Sequence, residues 1–134
     1  MNNIHLEVFQ PQQTKIKDDF EHVIIPGIEG DFGVSENHTP FITIIRPGIM
    51  SLYKGEKPEK YAIHDGFVTV ENNKVTIVCE AIEKNDEIDI KRAKAAKERA
   101  EKRIKEKNED VDFKRAEMAL KRALVRLSLK QENG

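Results

Sequence analysis

Apolar residues alternate with polar ones in the first part of the chain, which is the pattern of half-buried β-strands. In Ile4–Phe9, for example, every second residue is a large aliphatic one. Further short apolar runs lie at residues 20–25, 41–45, 49–53, 61–63, 67–70 and 75–78. Between them, Pro26-Gly27 is predicted to form the centre of a turn and Asn72-Asn73 a tight hairpin. Short strands without helical stretches between them predict an antiparallel β-sandwich or barrel over residues 1–84.

After Glu83 the apolar spacing becomes helical, and residues 88–107 contain neither Gly nor Pro. The first helix has a stripe at intervals of three and four, formed by Ala93, Ala96, Ala100 and Ile104. A second stripe predicts a helix over about 111–129, formed by Phe113, Ala116, Leu120, Ala123 and Leu127. Asp110 is predicted to cap this helix, and the last four residues to fray. The short break favours an antiparallel two-helix hairpin within residues 85–134.

The seam between the two helices is predicted to be weak. The first helix offers mostly alanine, which buries little area, and apolar burial contributes only about 25 cal/mol per Å². A hairpin held by so thin a seam should dock, open or rearrange according to its surroundings.

Composition and charge change at the same place as the apolar pattern. Charged residues make up 35% of the 134 residues, and hydrophobic residues 38%. Residues 1–85 carry 8 Lys/Arg and 13 Asp/Glu, a net of −5, whereas residues 86–134 carry 15 and 11, a net of +4. An acidic half joined to a basic half indicates two modules with different partners. No apolar stretch approaches the ~20 residues of a membrane span, so work at a membrane would require binding to another subunit.

The sequence contains none of the common catalytic motifs GxxxxGK[ST], HExxH and GxSxG. The four histidines lie far apart in sequence and lack the closely spaced partners of local metal motifs, so no metal site is predicted. Cys79 is the only cysteine, which excludes an internal disulfide. It is predicted to be a small buried hydrophobe rather than a nucleophile.

Arginines are spaced to converge at one end of the predicted hairpin. Arg92 and Arg99 are two helical turns apart, and Arg122 and Arg126 about one turn, so each pair shares a face. In an antiparallel hairpin Arg92 comes close to Arg122 and Arg126. Such a cluster favours an anion, for example a polyphosphate that guanidinium groups bind bidentately. The competing interpretation is a solvated charged face, which is the commoner use of charged residues on helices.

Glycines and prolines follow a specific order in the strand-rich half. The segments are Pro-Gly-Ile-Glu-Gly-Asp-Phe-Gly-Val at 26–34, His-Thr-Pro at 38–40, Pro-Gly at 47–48 and His-Asp-Gly-Phe-Val-Thr-Val at 64–70. Over roughly residues 4–130 the chain resembles the epsilon subunit of bacterial F-type ATP synthases. It departs at Glu36-Asn37, where the family usually has Pro-Gly, and at Asp65-Gly66, where the family usually has two glycines.

The resemblance implies a non-catalytic rotor subunit whose sandwich binds the gamma subunit and touches polar loops of the membrane-embedded c-ring. It places Glu29, Asp31 and His38 at the c-ring, where an acidic loop would meet basic loops. It also implies a peripheral position on the cytoplasmic face of the bacterial cell membrane.

The segment Ile-Asp-Ile-Lys-Arg-Ala at 88–93 resembles the adenine-nucleotide motif of ATP-binding bacterial members of this family. The resemblance implies that ATP is a regulatory ligand and not a substrate, and that it holds the hairpin closed. The implied site consists of Glu83, Ile88, Asp89, Arg92, Ala93, Arg99, Arg122 and Arg126. In it, Glu83 and Asp89 would contact the adenine or ribose, and the arginines would contact the phosphates.

The resemblance further implies that the opened hairpin meets an acidic segment of the catalytic beta subunit and blocks rotation in the hydrolysis direction. The basic residues implied in this contact are Lys114, Arg115, Lys121, Arg122 and Arg126. ATP and the beta subunit would then compete for overlapping arginines.

Two alternatives stand beside this interpretation. One is a stand-alone ATP-sensing module of the same fold, which would not bind gamma. The other is a nucleic-acid-binding module built on the basic hairpin. The latter is disfavoured because the strand-rich half is acidic and has few aromatic residues on which bases could stack.

Overall fold

The computed structural model describes residues 3–106 and 110–133, and side chains for residues 3–106 and 113–131. The chain divides into two compact units, Met1–Glu83 and Lys84–Gly134. The described residues of the first unit form eight β-strands, the last of which extends one residue into the second unit. These are β1 (Ile4–Gln10), β2 (Gln13–Phe20), β3 (His22–Gly27), β4 (Gly30–Val34), β5 (Phe41–Ile45), β6 (Gly48–Tyr53), β7 (Pro58–Glu71) and β8 (Lys74–Lys84).

The strands form a hydrogen-bonded sheet in the order β2-β1-β8-β7-β5-β3-β4, and β6 pairs with both β3 and β7. The sheet folds over into the predicted β-sandwich, and the predicted alternation is confirmed, since Ile4, Leu6 and Val8 are buried in the core. One pairing differs from the antiparallel expectation. β1 runs parallel to β8, which is possible because the six strands between them in sequence provide the crossover that a parallel pair requires.

The structure corrects the prediction at the start of the sheet. β2 is absent from the predicted strands, because only two of its eight residues, Ile16 and Phe20, are buried. It is an edge strand that pairs only with β1 in the strand order, so its remaining polar residues face water. The run predicted at residues 20–25 is in fact the end of β2 and most of β3, with a bend at Glu21.

The glycine-rich segment at residues 25–34 forms a β-hairpin and not a loop. Its turn lies at Ile28-Glu29, whereas Pro26 and Gly27 are the last residues of β3 and pair with Asp31 and Gly30. Gly30 supplies the positive φ of +137° that the return into β4 requires. The prediction of a turn centred on Pro26-Gly27 is therefore wrong by two residues.

β7 is a single strand of 14 residues where the prediction has two short ones. Its first half pairs with β6 as far as Ile63, and its second half pairs with β5 from Gly66 onwards. Between them Asp65 has φ of +56°, and in the β4–β5 loop Asn37 has φ of +66°. At both places where the chain departs from the family pattern, Asn or Asp thus adopts the left-handed conformation that glycine adopts without strain.

The tight hairpin between β7 and β8 is confirmed. Asn72 and Asn73 are its two central residues, with φ of +50° and +60°. Positive φ at both central positions defines a type I′ turn, in which Asn is among the preferred residues.

The second unit contains a short 3₁₀ helix at Asn85–Glu87, then α1 (Ile90–Lys105) and α2 (Asp110–Asn133). The predicted helix pair is confirmed, with different ends. α1 begins two residues later than predicted, because Asp89 is its N-cap. α2 continues to Asn133, so most of the tail expected to fray is helical. The predicted cap by the Asp110 side chain lies outside the described side chains.

The helix hairpin is held by small residues, as the stripe pattern predicts. Among the described side chains of the two helices, the buried ones are Ala93 and Ala100 on α1 and Ala116, Ala123 and Leu129 on α2. Phe113, predicted in the second stripe, is 40% exposed. None of the described helices is long and apolar enough to cross a membrane.

Candidate functional site

A row of apolar side chains crosses the outer face of the sandwich. Ile44 on β5 pairs with Phe67 on β7, and Val78 on β8 pairs with Phe9 on β1. The two-residue turn between β7 and β8 sets Phe67 opposite Val78, which connects the two pairs. Cross-strand partners share a face, so these four residues form one line over four neighbouring strands, called here the apolar row.

The apolar row is accessible to a partner. Ile44 is 59% exposed, Phe67 47% and Val78 41%, and Ile42, two residues along β5 on the same face, is 69% exposed. Phe9 is half-buried. Sequence reasoning missed this row, although β5 gives a signal. The run Phe-Ile-Thr-Ile-Ile is apolar on both faces, which is typical of a strand covered on both sides.

Charged side chains border the apolar row on β1, β2 and β8. Glu7 is paired with Lys74 at 3.2 Å, and His5 contacts Asp19 at 2.7 Å. The hydrogen bond from Lys74 holds the pKa of Glu7 below its ordinary value, so this carboxylate is ionised at neutral pH. An apolar centre with a charged rim is the usual organisation of a protein–protein interface.

The residues assigned to the c-ring by resemblance lie at the two ends of β4. Glu29 is exposed in the β3–β4 turn, and Asp31 is exposed at the start of β4. Asp31 does not present a lone charge, because Arg46 donates to its Oδ1 and to the Gly27 carbonyl, each at 2.6 Å. The acidic turn is therefore partly neutralised, which the sequence did not predict.

His38 lies in the loop that follows β4, beyond the other end of that strand. Its Nδ1 is 2.6 Å from the Thr39 carbonyl, and its ring lies 6.5 Å from that of Phe41. The strand thus separates His38 in sequence and topology from the turn that carries Glu29.

The start of α1 places the predicted nucleotide motif around a helix N-terminus. The Asp89 side chain accepts a hydrogen bond from the Arg92 backbone N–H at 3.1 Å, which makes it the N-cap. Ile88 and Ala93 are buried, whereas Asp89 is exposed. These residues thus have structural roles in starting and packing α1, independently of any nucleotide binding.

The arginines of the motif lie largely at one end of the hairpin. The buried alanines Ala100 and Ala116 are equally distant in sequence from position 108, and from this spacing we infer the register of an antiparallel pair. In this register Arg126 and Arg122 lie at the levels of residues 90 and 94, on either side of Arg92. Arg99 lies seven residues, or about 10 Å, further along α1. Arg92 and Arg99 are exposed, and Arg122 and Arg126 are half-buried.

The remaining predicted residues are spread over both units. Glu83 is half-buried near the end of β8 and is the last residue of the first unit. On α2 the basic residues Lys114, Arg115 and Lys121 are exposed. They are accessible to a partner in the hairpin as it stands.

Cys79 is buried in the sandwich core, as predicted. Burial raises the pKa of its thiol to about 11, so the reactive thiolate is scarce at neutral pH. Among the described residues, no group of three or more His, Cys, Asp or Glu side chains gathers where it could hold a metal ion.

Comparison with known proteins identifies both units. Residues 3–85 match the family model for the β-sandwich domain of the ATP synthase Delta/Epsilon chain, and residues 86–131 match the model for its long α-helix domain. A solved structure of the mitochondrial ATP synthase of Euglena gracilis, comprising OSCP, F1 and the c-ring, contains a chain with the same fold. The TM-score is 0.81 at 26% identity, over 94% of this chain and 79% of that chain.

Bacterial relatives are similar in sequence over most of their length. The ATP synthase epsilon chain of Desulfosudis oleivorans is 47% identical over 104 residues, which are 76% of this chain and 77% of the relative. The epsilon chain of Pelotomaculum thermopropionicum is 45% identical over 99 residues, 74% of each chain. With both domain models matched in order and relatives at this level of identity, the chain belongs to the ATP synthase delta/epsilon chain family.

Proposed function

We propose that this chain is a non-catalytic epsilon subunit in the central stalk of a bacterial F-type ATP synthase. It couples the gamma subunit to the c-ring and restrains ATP hydrolysis through its helix hairpin. The family supports this role, as do relatives named ATP synthase epsilon chain and a structural neighbour from an assembly of F1 with a c-ring. As part of that complex, the chain is held at the cytoplasmic face of the membrane by its partners.

The observation that carries the rotor role is the apolar row on the sandwich. Three of its residues are more than 40% exposed and stand next to one another on adjacent strands. An exposed apolar strip with a charged rim is the mark of an interaction site, because a free surface gains nothing from it. In the proposal this strip docks on gamma.

The c-ring contact is assigned to the end of the sandwich at the β3–β4 turn. Glu29 presents an exposed carboxylate there, and its neighbour Ile28 is 57% exposed. The Ile28 backbone N–H donates to the Ile44 carbonyl at 2.8 Å, so this turn adjoins β5 and the apolar row. The apolar row can therefore bind gamma, while the adjoining β3–β4 turn binds the polar loops of the ring. His38 lies beyond the opposite end of β4 and belongs to this contact by resemblance alone.

ATP is proposed to hold the hairpin closed without being hydrolysed. Arg92, Arg122 and Arg126 lie at one level of the hairpin, where their guanidinium groups can bind a polyphosphate and relieve mutual repulsion. Asp89 would keep its cap while its second oxygen meets the adenosine. Arg99 would reach the ligand only from further along α1. Glu83, with Ile88 and Ala93, completes the proposed set.

The basic residues of α2 are proposed to meet the beta subunit when the hairpin opens. Lys114, Arg115 and Lys121 are exposed already, and Arg122 and Arg126 become available once the nucleotide leaves. ATP binds only the closed state and so draws the population away from inhibition. A stand-alone ATP sensor is the second candidate, but it gives no reason for the apolar row.

Reconstitution with F1 particles that lack the epsilon subunit tests the regulatory role. The chain is expected to slow ATP hydrolysis at low ATP, and millimolar ATP is expected to relieve most of this inhibition. In the double variant Lys114→Glu, Lys121→Glu, most inhibition should be lost, because charge reversal opposes docking on an acidic segment. Unchanged hydrolysis on addition of the wild-type chain would contradict the role.

A further inference from the structure

The 3₁₀ helix that precedes α1 contains a buried polar group without a partner. The side-chain oxygen Oδ1 of Asn85 is buried and has no hydrogen-bond partner among the described residues. The neighbouring polar groups, in contrast, have hydrogen-bond partners. Glu87 accepts from the Lys84 N–H at 2.8 Å, and the Asn85 carbonyl accepts from the Ile88 N–H at 3.3 Å. Asn85 is therefore a local exception and not part of a loosely packed segment.

The position of Asn85 links the free-energy cost of its unpaired oxygen to the packing of the hairpin. The 3₁₀ helix packs against α2 within the second unit, and from this contact we infer that α2 contributes to the burial of Asn85. A buried acceptor without a donor loses its hydrogen bonds to water and gains none in return. When α2 moves away, water can reach the amide again. The unpaired oxygen thus disfavours the closed hairpin relative to the open one.

We propose that Asn85 sets the balance between the closed and open hairpin, and thereby the ATP concentration needed to relieve inhibition. This inference rests on the proposed function for its second part. ATP must supply the binding free energy that offsets the closed-state cost, since a ligand shifts an equilibrium only by its differential affinity. A chain without the buried amide would stay closed at lower ATP.

Hydrogen exchange of the α2 amides in the nucleotide-free chain tests the first part. Asn85→Ala removes the amide, and Asn85→Leu replaces it with an apolar group of similar size. In at least one of these variants, the α2 amides are expected to exchange more slowly than in wild type, by a factor of up to about five. This factor corresponds to the low end of the free-energy cost of an unsatisfied acceptor. The matched control is Asp86→Ala, an exposed neighbour in the same 3₁₀ helix, which should leave exchange unchanged. Exchange that is equal to wild type or faster in both Asn85 variants overturns the inference.

ATP relief of inhibition in reconstituted F1 tests the second part. The ATP concentration for half-maximal relief should fall by the same factor in the variant with slower exchange. Slower exchange with an unchanged relief midpoint overturns the regulatory part. If ATP relieves no inhibition even in wild type, the proposed ATP sensing fails, while the exchange result still decides whether Asn85 destabilises the closed hairpin.

Discussion

Replacing Gly66 by alanine is expected to destabilise the sandwich by about 3 kcal/mol or more, near the upper end of overpacking costs. A Cβ at this position would lie 2.2 Å from the Val78 carbonyl oxygen and 2.8 Å from the Cys79 Cα. Both are backbone atoms of β8, which is hydrogen-bonded to strands on either side and cannot shift locally. The free energy of unfolding, measured by urea titration, reports the loss directly.

The contrasting control is Asn37→Gly. Asn37 has φ of +66°, and its backbone N–H donates to the Asn73 side chain at 2.7 Å, a bond that glycine retains. Removing a side chain from a left-handed position should raise the unfolding free energy by about 0.5–1 kcal/mol. A Gly66→Ala variant as stable as wild type would show that β7 and β8 do not approach as closely as described.

Removing Arg92 and Arg126 together is expected to abolish saturable ATP binding by the isolated chain. The two residues lie at one level of the hairpin, on facing helices. Each hydrogen bond to a charged group contributes about 1.5–3 kcal/mol, so the double variant Arg92→Ala, Arg126→Ala should bind at least 100-fold more weakly. Calorimetric titration with millimolar ATP provides the measurement.

Two controls separate ATP binding from helix stability. Arg103→Ala removes an exposed arginine from the last turns of α1, away from the proposed site, and should bind ATP like wild type. Asp89→Ser keeps a capping side chain but removes the carboxylate, so reduced affinity in a stable hairpin would assign Asp89 to the ligand. If wild type itself does not bind ATP, the arginines serve the beta subunit or solvent.

The strands that face the core could be read from sequence, whereas the edge strand and the bends could not. Ile4, Leu6 and Val8 alternate and are buried, because one face of β1 must meet the core. β2 could not be predicted from such an alternation, since its edge position leaves most of its residues exposed. β7 is divided in the prediction because His64-Asp65 interrupts the apolar pattern, although Asp65 makes a bend within one strand.

The candidate interface shows the same limit of sequence reasoning. Ile44 and Phe67 read as ordinary strand residues, and only the register between strands shows that they line up with Val78 and Phe9. The partial neutralisation of Asp31 likewise depends on Arg46, 15 residues away in sequence. The helix hairpin was easier to predict, because its apolar stripes depend on local spacing alone, although Asp89 was not predicted as the N-cap of α1.

Binding to purified gamma subunit tests the central claim, that the apolar row docks this chain in the rotor. The account predicts a one-to-one complex in which the double variant Ile44→Asp, Phe67→Asp binds at least about 100-fold more weakly, because buried interface centres carry most of the affinity. Both positions are exposed, so the variant should fold, and Glu56→Ala, in the exposed β6–β7 loop, should bind like wild type. No complex between the wild-type chain and gamma at micromolar concentrations, or equal binding by the double variant, would contradict the account.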